Sequence, residues 1–153
     1  MSVLVREARP DDLEAIVHLL ALPQEVKRMD APPTVPLDPR YGVAFDAIAR
    51  DPLAWVMVAE RGGRVVGVFQ LNVIQHLAYG GGRVAQIENV VVEPTLRSSG
   101  IGALMMREAI DRARAHGCFR VQLTSNNVRT RAHTFYERLG FVKTHQGMKL
   151  MLG

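Results

Sequence analysis

Cysteine, aromatic residues and long apolar runs are all scarce in this chain of 153 residues. The single cysteine, Cys118, cannot form a disulfide within the chain, which favours a reducing compartment and predicts a cytoplasmic location. No apolar stretch approaches the roughly 20 residues that a membrane-spanning helix requires. The N-terminus carries early charges and lacks the apolar core of a signal peptide, so we expect neither a leader nor a membrane partner.

The chain also lacks internal repeats and the signals of several binding classes. Its length fits one domain, so we expect residues 1–153 to form a single domain. The histidines and the cysteine show no metal-ligand spacing, and we predict no metal site. The net charge of +4 indicates either a solvated basic surface or attraction of an anionic ligand such as a nucleotide phosphate. Because the basic residues are dispersed and not interleaved with aromatics, we expect no nucleic-acid partner.

Hydrophobic periodicity predicts strands and helices that alternate in the second half of the chain, which favours helices layered on a mixed sheet. The predicted strands are 3–9, 53–60, 64–75, 84–93 and 119–124, with a closing pair at 141–143 and 148–152. One helix is predicted to begin near Pro10, and three more are predicted at 41–50, 100–116 and 130–139. The proline-rich stretch 23–40 predicts a long loop, either functional or a mobile connector.

The strongest chemical signal is the segment Val90–Gly102, which predicts a strand, a turn and the start of a helix. A helix start presents unpaired N–H groups and a partial positive charge. Gly100 and Gly102 remove side chains that would keep an anion from the backbone, and Arg97 adds a positive charge. The segment is therefore either a pyrophosphate cradle or a plain helix start with glycines for close packing. Met105 breaks the dinucleotide-binding pattern and no Gly-Lys-Ser/Thr is present, so neither common Gly-rich loop fits.

Three motifs, in order along the chain, resemble those of the GNAT superfamily of N-acetyltransferases. Arg97-Ser98-Ser99-Gly100-Ile101-Gly102 matches its R/Q-x-x-G-x-G/A motif. Gln86–Val92 is similar to its central strand, and Ala132–Phe141 is similar to its C-terminal signature. The resemblance runs from about Val56 to Leu152. It implies an α+β fold with a mixed, twisted central sheet of about six to seven strands and about four flanking helices, splayed beside the central strand.

The resemblance also implies acetyl-CoA as co-substrate, bound in the splay. Its pantetheine would pair with the backbone of Val90 and Val92, and an N–H near Val91 would polarise the thioester carbonyl. The implied cofactor-binding residues are Val90, Val91, Val92, Arg97, Ser98, Ser99, Gly100, Ile101, Gly102, Asn126, Asn127, Arg129 and Phe135.

The segment Thr124–Arg129 departs from the common pattern of the superfamily. Many members carry an asparagine where this chain has Arg129, so the pantetheine contact is predicted for Asn126 or Asn127, and the choice stays open. The segment resembles a subgroup that includes aminoalkylphosphonate acetyltransferases, and the Ile87-Glu88 strand is similar to that of glucosamine-phosphate acetyltransferases. This resemblance implies a small amine acceptor that bears an anionic group.

Two residues are predicted to carry the proton transfers. Glu88, on the predicted central strand, is the candidate base, acting directly or through a water, and the alternative is a surface or salt-bridged glutamate. The resemblance makes Tyr136 the acid that protonates the leaving thiolate, and a tyrosine pKa of about 10 keeps it protonated at neutral pH. The alternative for Tyr136 is a core tyrosine. His76 either faces the acceptor or is a polar residue at the rim.

We therefore predict an N-acetyltransferase that moves the acetyl group of acetyl-CoA directly to a primary amine of a small polar metabolite. The alternatives are a non-catalytic acyl-CoA-binding or regulatory module and an acetyltransferase of protein N-termini or lysines. The resemblance favours a homodimer. The first 50 residues, which line the acceptor site in this superfamily, carry no recognisable signature.

Overall fold

A computed structural model describes residues 2–24 and 29–153 of the chain. Within them, the strands are β1 (Val3–Glu7), β2 (Ala54–Arg61), β3 (Arg64–Gln75), β4 (Arg83–Val92) and β5 (Cys118–Leu123). The α-helices are α1 (Leu13–Leu20), α2 (Pro39–Arg50), α3 (Ala78–Gly81), α4 (Ile101–Ala115) and α5 (Thr130–Arg138). Six elements from β2 to α5, the one-turn α3 aside, lie within one residue of their predicted bounds at each end.

The strands form one mixed sheet in the order β1-β2-β3-β4-β5. Neighbours are antiparallel except β4 and β5, which are parallel and joined through α4. The β2–β3 hairpin turns on Gly62 and Gly63, both at positive φ (+59° and +75°). Glycine, which has no Cβ, adopts this conformation at little cost, which explains two glycines in succession at this turn.

The two faces of the sheet carry separate apolar clusters. On one face, α4 buries the apolar stripe that its periodicity predicts, against side chains of β2, β3 and β4 such as Phe69, Leu71 and Ile87. On the other face, α1 packs Ile16 and Leu19 against the same strands. Each fully buried aliphatic side chain contributes about 1.5–3 kcal/mol relative to exposure. The fold class is therefore the predicted α+β layer.

The predicted closing strand pair is wrong, and the strand count is lower than expected for that reason. Residues 141–153 have no regular secondary structure. Met148, Leu150 and Leu152 alternate as in a strand, yet they are 95%, 84% and 93% exposed. Alternation reports the strand propensity of a segment, but a strand also needs a neighbouring backbone, and an isolated pair is at best marginally stable. No described strand pairs with this segment.

The N-terminal half differs from prediction at both helix starts. Residues Pro10–Asp12 form a 3-10 turn, and α1 begins after it at Leu13. The helix α2 begins at Pro39, inside the predicted loop, because the Asp38 carboxylate accepts the N–H of Arg40 at 2.9 Å and caps the helix. Residues 29–38 are irregular as predicted, and residues 25–28 of the predicted loop lie outside the described residues.

Candidate active site

The sheet opens beside the second half of β4. Strand β5 pairs with β4 only from Arg83 to Ile87, whereas β4 continues to Val92 in contact with β3. From Glu88 onward, the edge of β4 that faces β5 is therefore unpaired. Val90, Val91 and Val92 lie along this opening, which is the splay that the resemblance implied.

A bulge in β4 lies at the mouth of the opening. Val68 pairs with Val91 and Gln70 pairs with Glu88, so that Asn89 and Val90 together oppose Phe69. Asn89 adopts a left-handed conformation with φ +56°. Asparagine tolerates this region far better than the valines that follow it. An extra residue in one strand bends that strand and redirects its side chains, which separates Glu88 from the segment Val90–Val92. Asn89 was missed from the sequence, although it is the polar residue that directly precedes the valine run.

The segment Arg97–Gly102 leads into an uncapped helix N-terminus. Gly100 is the residue before α4, with φ +88°, and among the residues that the structure describes no side chain caps this 15-residue helix. The first N–H groups of α4 are consequently available to a ligand. Ser98 also has positive φ (+67°), the Ser99 hydroxyl donates to the carbonyl of Leu96, and Arg97 is exposed. This arrangement fits an anion, as the cradle interpretation expects.

The structure gives Gly102 a role in close packing between helices, which is the alternative to its role in anion access. A Cβ at this position would lie 3.1 Å from Cζ of Phe135. The absent side chain lets α5 approach the first turn of α4, which is the close packing that the plain-helix interpretation offered. Phe135 therefore lies at the cradle as part of this helix contact.

Tyr136 is buried beside the same contact. It is 8% exposed and packs into the cluster under α4, with the rings of Phe135 and Phe141 at 5.2 Å and 5.8 Å between centroids. Burial raises the pKa of Tyr136, and the charge of Arg129 opposes this shift only in part. The hydroxyl is therefore protonated throughout the neutral range, which suits an acid. Its burial also agrees with the core alternative.

Asn126 and Asn127 precede α5 in a tight turn. The Oδ1 of Asn126 accepts the N–H of Val128 at 3.1 Å, and its carbonyl accepts from Nε2 of His133 at 2.9 Å. The side-chain oxygen of Asn126 is thus used within the turn. Asn127 is exposed. Arg129 is partly buried at the start of α5.

Glu88 belongs to a row of polar side chains on the sheet face that carries α1. Paired strand residues share a face, so the register places side chains of β3, β4 and β5 side by side. We call this set the polar row: Gln70, Asn72, Gln86, Glu88, Arg120 and Gln122. The amide of Gln86 donates to Oε1 of Glu88 at 3.0 Å. Among residues 2–24 and 29–153, no ion pair includes Glu88.

Five members of the polar row were missed from the sequence. The signal was present, because Gln70-Leu71-Asn72, Gln86-Ile87-Glu88 and Arg120-Val121-Gln122 each alternate polar and apolar residues within a strand. A single strand with this alternation normally predicts a solvated face. Only the strand register shows that the three short patterns adjoin.

A cavity of about 170 Å³ lies between α1, α2 and the sheet, next to the bulge. Its lining is mostly apolar, with Tyr41, Gln70 and Asn89 as its larger polar residues. Burial and a hydrogen bond to Asp30 raise the pKa of Tyr41, which stays a neutral hydrogen-bonding group. A second cavity, of about 240 Å³ between α2 and β2, contains none of the predicted site residues.

The remaining candidates lie away from the opening or lack reactivity. His76 packs edge-on against Tyr79 at 5.3 Å between ring centroids, beyond the end of β3. Burial raises the pKa of the Cys118 thiol, which argues against a reactive thiolate. Trp55 packs on His116 and beneath Arg112.

Two further properties concern the described part of the chain as a whole. Within residues 2–24 and 29–153, every helix falls short of the length and apolarity of a membrane span. In the same ranges, no group of three or more His, Cys, Asp or Glu side chains is arranged to hold a metal ion.

Comparison with known proteins identifies the family of this chain. The model of the "Acetyltransferase (GNAT) family" matches residues 13–141. The chain therefore belongs to the GNAT family. Acetyl-CoA is the acetyl donor of this family. The match covers α1 to α5, so it includes the opening, the cradle and Tyr136.

Individual relatives of this GNAT chain have different functional names. A glucosamine 6-phosphate N-acetyltransferase of Trypanosoma brucei brucei is 36% identical over 59% of this chain and 59% of its own length. An aminoalkylphosphonate N-acetyltransferase of Salmonella typhimurium is 34% identical over 66% of this chain and 65% of its own length. The chain thus matches less than two thirds of each of these two relatives. A crystal structure named a transcriptional regulator, from Bacillus halodurans C-125, has a TM-score of 0.90 and 36% identity over 99% of this chain and 100% of that chain.

Proposed function

We propose that residues 1–153 form a single N-acetyltransferase domain that transfers acetyl from acetyl-CoA directly to a primary amine. The observation that carries this proposal is the uncapped N-terminus of α4 next to the open edge of β4, with Glu88 at its mouth. The helix supplies N–H groups for a pyrophosphate, and the open edge of β4 supplies backbone groups for pantetheine.

The residues at the opening supply the proton transfers. The thioester supplies an activated acetyl group, whose carbonyl carbon bonds to the amine nitrogen as its bond to sulfur breaks. The acceptor nitrogen loses two protons on its way from ammonium to amide. Glu88 takes the first, directly or through a water, before the attack, and Tyr136 gives a proton to the leaving sulfur. The nitrogen loses its second proton as the amide forms, and this proton passes through water to the Tyr136 phenolate. Glu88 then releases its proton to solvent, so that both residues return to their starting states. The backbone N–H near Val91 polarises the carbonyl oxygen.

The acceptor that the site supports best is a small polar amine. The cavity beside Asn89 has room for a small molecule, and the polar row adds several hydrogen-bonding groups next to it. The two curated relatives described above are named for glucosamine 6-phosphate and for aminoalkylphosphonates, which are small amines with a phosphorus oxyanion.

Release of free CoA thiol from acetyl-CoA tests the proposal. Each amine of a panel of small amines and short peptides is added in turn, and the product is identified by mass. We expect acetylation of small amines at the nitrogen. If a peptide is the better acceptor, the alternative of a protein acetyltransferase replaces the small-molecule proposal.

A second candidate function is a regulatory module that binds acyl-CoA without catalysis. The relative named a transcriptional regulator, similar over nearly the whole chain, favours this candidate. Tight CoA binding without thiol release for any amine would support the regulatory candidate. Glu88 at the mouth of the opening favours the enzyme, because simple binding does not need a base there.

For the pantetheine contact, we propose Asn127 in preference to Asn126. Both residues are exposed, but the side-chain oxygen of Asn126 already holds the turn before α5. Asn127→Ala should raise the KM for acetyl-CoA with the melting temperature unchanged. Asn126→Ala should lower the melting temperature because it removes the turn hydrogen bond.

We also propose a homodimer in which the C-terminal segment packs on a second copy. Residues 142–153 carry five apolar side chains that are at least 78% exposed, and β5 is an edge strand with one partner. An exposed apolar segment and an open sheet edge both favour association. Light scattering should give twice the chain mass, and replacing Met148, Leu150 and Leu152 by Ser should give the single mass. A monomeric wild-type protein refutes this arrangement.

The cytoplasmic location stays a prediction from the single cysteine.

A further inference from the structure

The polar row ends in a cation on β5. Arg120 pairs with Val84, so its side chain lies on the same sheet face as Gln86 and Glu88. Its Nε donates to Oε1 of Gln122 at 3.1 Å, and the amide of Gln122 donates to Oε1 of Gln86 at 2.8 Å. With the Gln86–Glu88 hydrogen bond, one continuous chain joins a guanidinium to the candidate base.

Two aromatic rings hold the Arg120 guanidinium without neutralising it. Its central carbon lies 5.0 Å from the ring centroid of Tyr79 and 5.4 Å from that of Phe119. Tyr79 itself adopts positive φ (+58°) in the turn α3, which brings its ring to β5. In the described part of the chain, none of the ion pairs includes Arg120. A cation–π contact orders a guanidinium but leaves its charge available to an anion.

Arg120 lies too far from the cradle to bind the phosphates of CoA there. Its partner Val84 and Val92, the last residue of β4, are eight residues apart on one strand. At about 3.3 Å per residue, this separation is roughly 26 Å. Glu88 lies midway between the two ends. The charge of Arg120 is therefore placed on the side of the base away from the cradle.

We infer that Arg120 binds an oxyanion of the acceptor, and so selects amines that carry a phosphate, phosphonate or carboxylate group. This inference rests on the proposed function. Glu88 receives the ammonium end of the acceptor, and Arg120 receives the anionic end with the paired N–H donors that suit such groups. Gln86 and Gln122 line the space between them. Tyr79 is a positioning residue, because it orders the guanidinium and does not contact the acceptor.

Matched pairs of acceptors test the inference through the split between KM and kcat. The pairs are glucosamine 6-phosphate with glucosamine, and 2-aminoethylphosphonate with ethanolamine; β-alanine tests a carboxylate. Wild type, Arg120→Gln, Arg120→Lys and Tyr79→Leu are compared. Arg114→Gln is the control. Arg114 is exposed and pairs with Asp111, and it belongs to α4, which packs on the opposite face of the sheet.

Loss of a charge-assisted hydrogen bond predicts that Arg120→Gln raises the KM for anionic acceptors about ten- to a hundredfold. The kcat/KM for neutral amines should stay within about twofold of wild type, because they make no such bond. Arg120→Lys keeps the charge without the paired donors, so its KM for anionic acceptors should lie between those of wild type and Arg120→Gln. Tyr79→Leu should raise this KM less than Arg120→Gln does. Arg114→Gln should have the KM of wild type.

Two results would overturn the inference while the acetyltransferase activity stands. One is a wild-type enzyme that acetylates both members of each pair equally well. The other is an Arg120→Gln variant that loses activity equally with anionic and neutral amines. If no amine of the panel is acetylated at all, the proposed function fails and the inference fails with it.

Discussion

Replacing Tyr136 by Phe separates its two interpretations, because an acid predicts a large loss of rate and a core tyrosine predicts none, while stability should change little in either case. The substitution removes one oxygen from a side chain that is 8% exposed and packed between aromatic rings. The ring itself and its contacts with Phe135 and Phe141 are retained. Since the described structure gives the hydroxyl no hydrogen-bond partner, we expect a change in the free energy of unfolding of less than about 1 kcal/mol. For a chain of this size, that is a melting shift of roughly 2–4 °C at most.

The effect on catalysis should be much larger. A positioned general acid contributes about 10²- to 10⁴-fold to a rate, so kcat for acetyl transfer should fall within that range while the Kd for CoA is unchanged. Burial raises the pKa of Tyr136 above its ordinary value of 10.0. In wild type, the loss of rate that follows deprotonation of this acid should therefore appear only above pH 10.

The assay follows thiol release under saturating acetyl-CoA, with thermal unfolding and CoA binding measured on the same preparations. A Tyr136→Phe variant with wild-type kcat would refute the acid role and leave a core tyrosine. A variant that melts far below wild type and binds CoA poorly would show that the hydroxyl is structural, contrary to the reasoning above.

Three further perturbations test other parts of the molecule. Glu88→Gln keeps the hydrogen bond from Gln86 but cannot take a proton, so kcat/KM should fall about 10²-fold or more at neutral pH. In alkali, where the amine is already deprotonated, kcat/KM should recover in part. A loss that does not depend on pH would contradict the base role. Gly100→Ala places a Cβ at φ +88°, which should cost about 1–2 kcal/mol in thermal unfolding and raise the KM for acetyl-CoA; an unchanged KM would argue against the cradle. The carboxylate of Asp12 accepts two hydrogen bonds from Arg6 at 2.7 and 3.0 Å, and these bonds lower the pKa of Asp12 below 3.8. The ionised carboxylate therefore stabilises the fold at a pH above the pKa of Asp12 in the unfolded chain. This stabilisation is lost as the pH falls through the pKa of Asp12 in the folded chain. Asp12→Asn should therefore cost about 2–4 kcal/mol in urea unfolding at pH 7, and this cost should shrink as the pH is lowered below 3.8. A cost that stays constant as the pH falls would contradict the ion pair.

The local elements were predictable because their signals are local. The alternation and periodicity in β2, β3 and α4 come from side chains within a few residues of each other, and the structure reproduces their bounds closely. The closing strand pair at 141–152 shows where this reasoning stops. Its alternation is as clear as that of β3, but whether it pairs depends on a neighbouring backbone that local pattern does not report.

The cradle motif and Tyr136 could be identified from the sequence, whereas their surroundings could not. The motif at Arg97–Gly102 is continuous, so its turn and helix start are readable residue by residue. Gly102 was assigned to anion access, yet its closest constraint is Phe135, which is distant in sequence and brought there by α5. Close packing between separate helices leaves no local signature.

The sequence by itself determined the family and the order of the strands and helices from β2 to α5, the one-turn α3 aside, because these depend on short-range pattern. It also contains the cradle motif and the two candidates for proton transfer, because each lies in a contiguous motif. Only the tertiary structure decided the bulge at Asn89, the exposure of the C-terminal segment and the polar row that joins Glu88 to Arg120. The members of that row come from three strands separated by long stretches of chain. They become neighbours through backbone pairing, whose register depends on the packing of the whole sheet against α1 and α4.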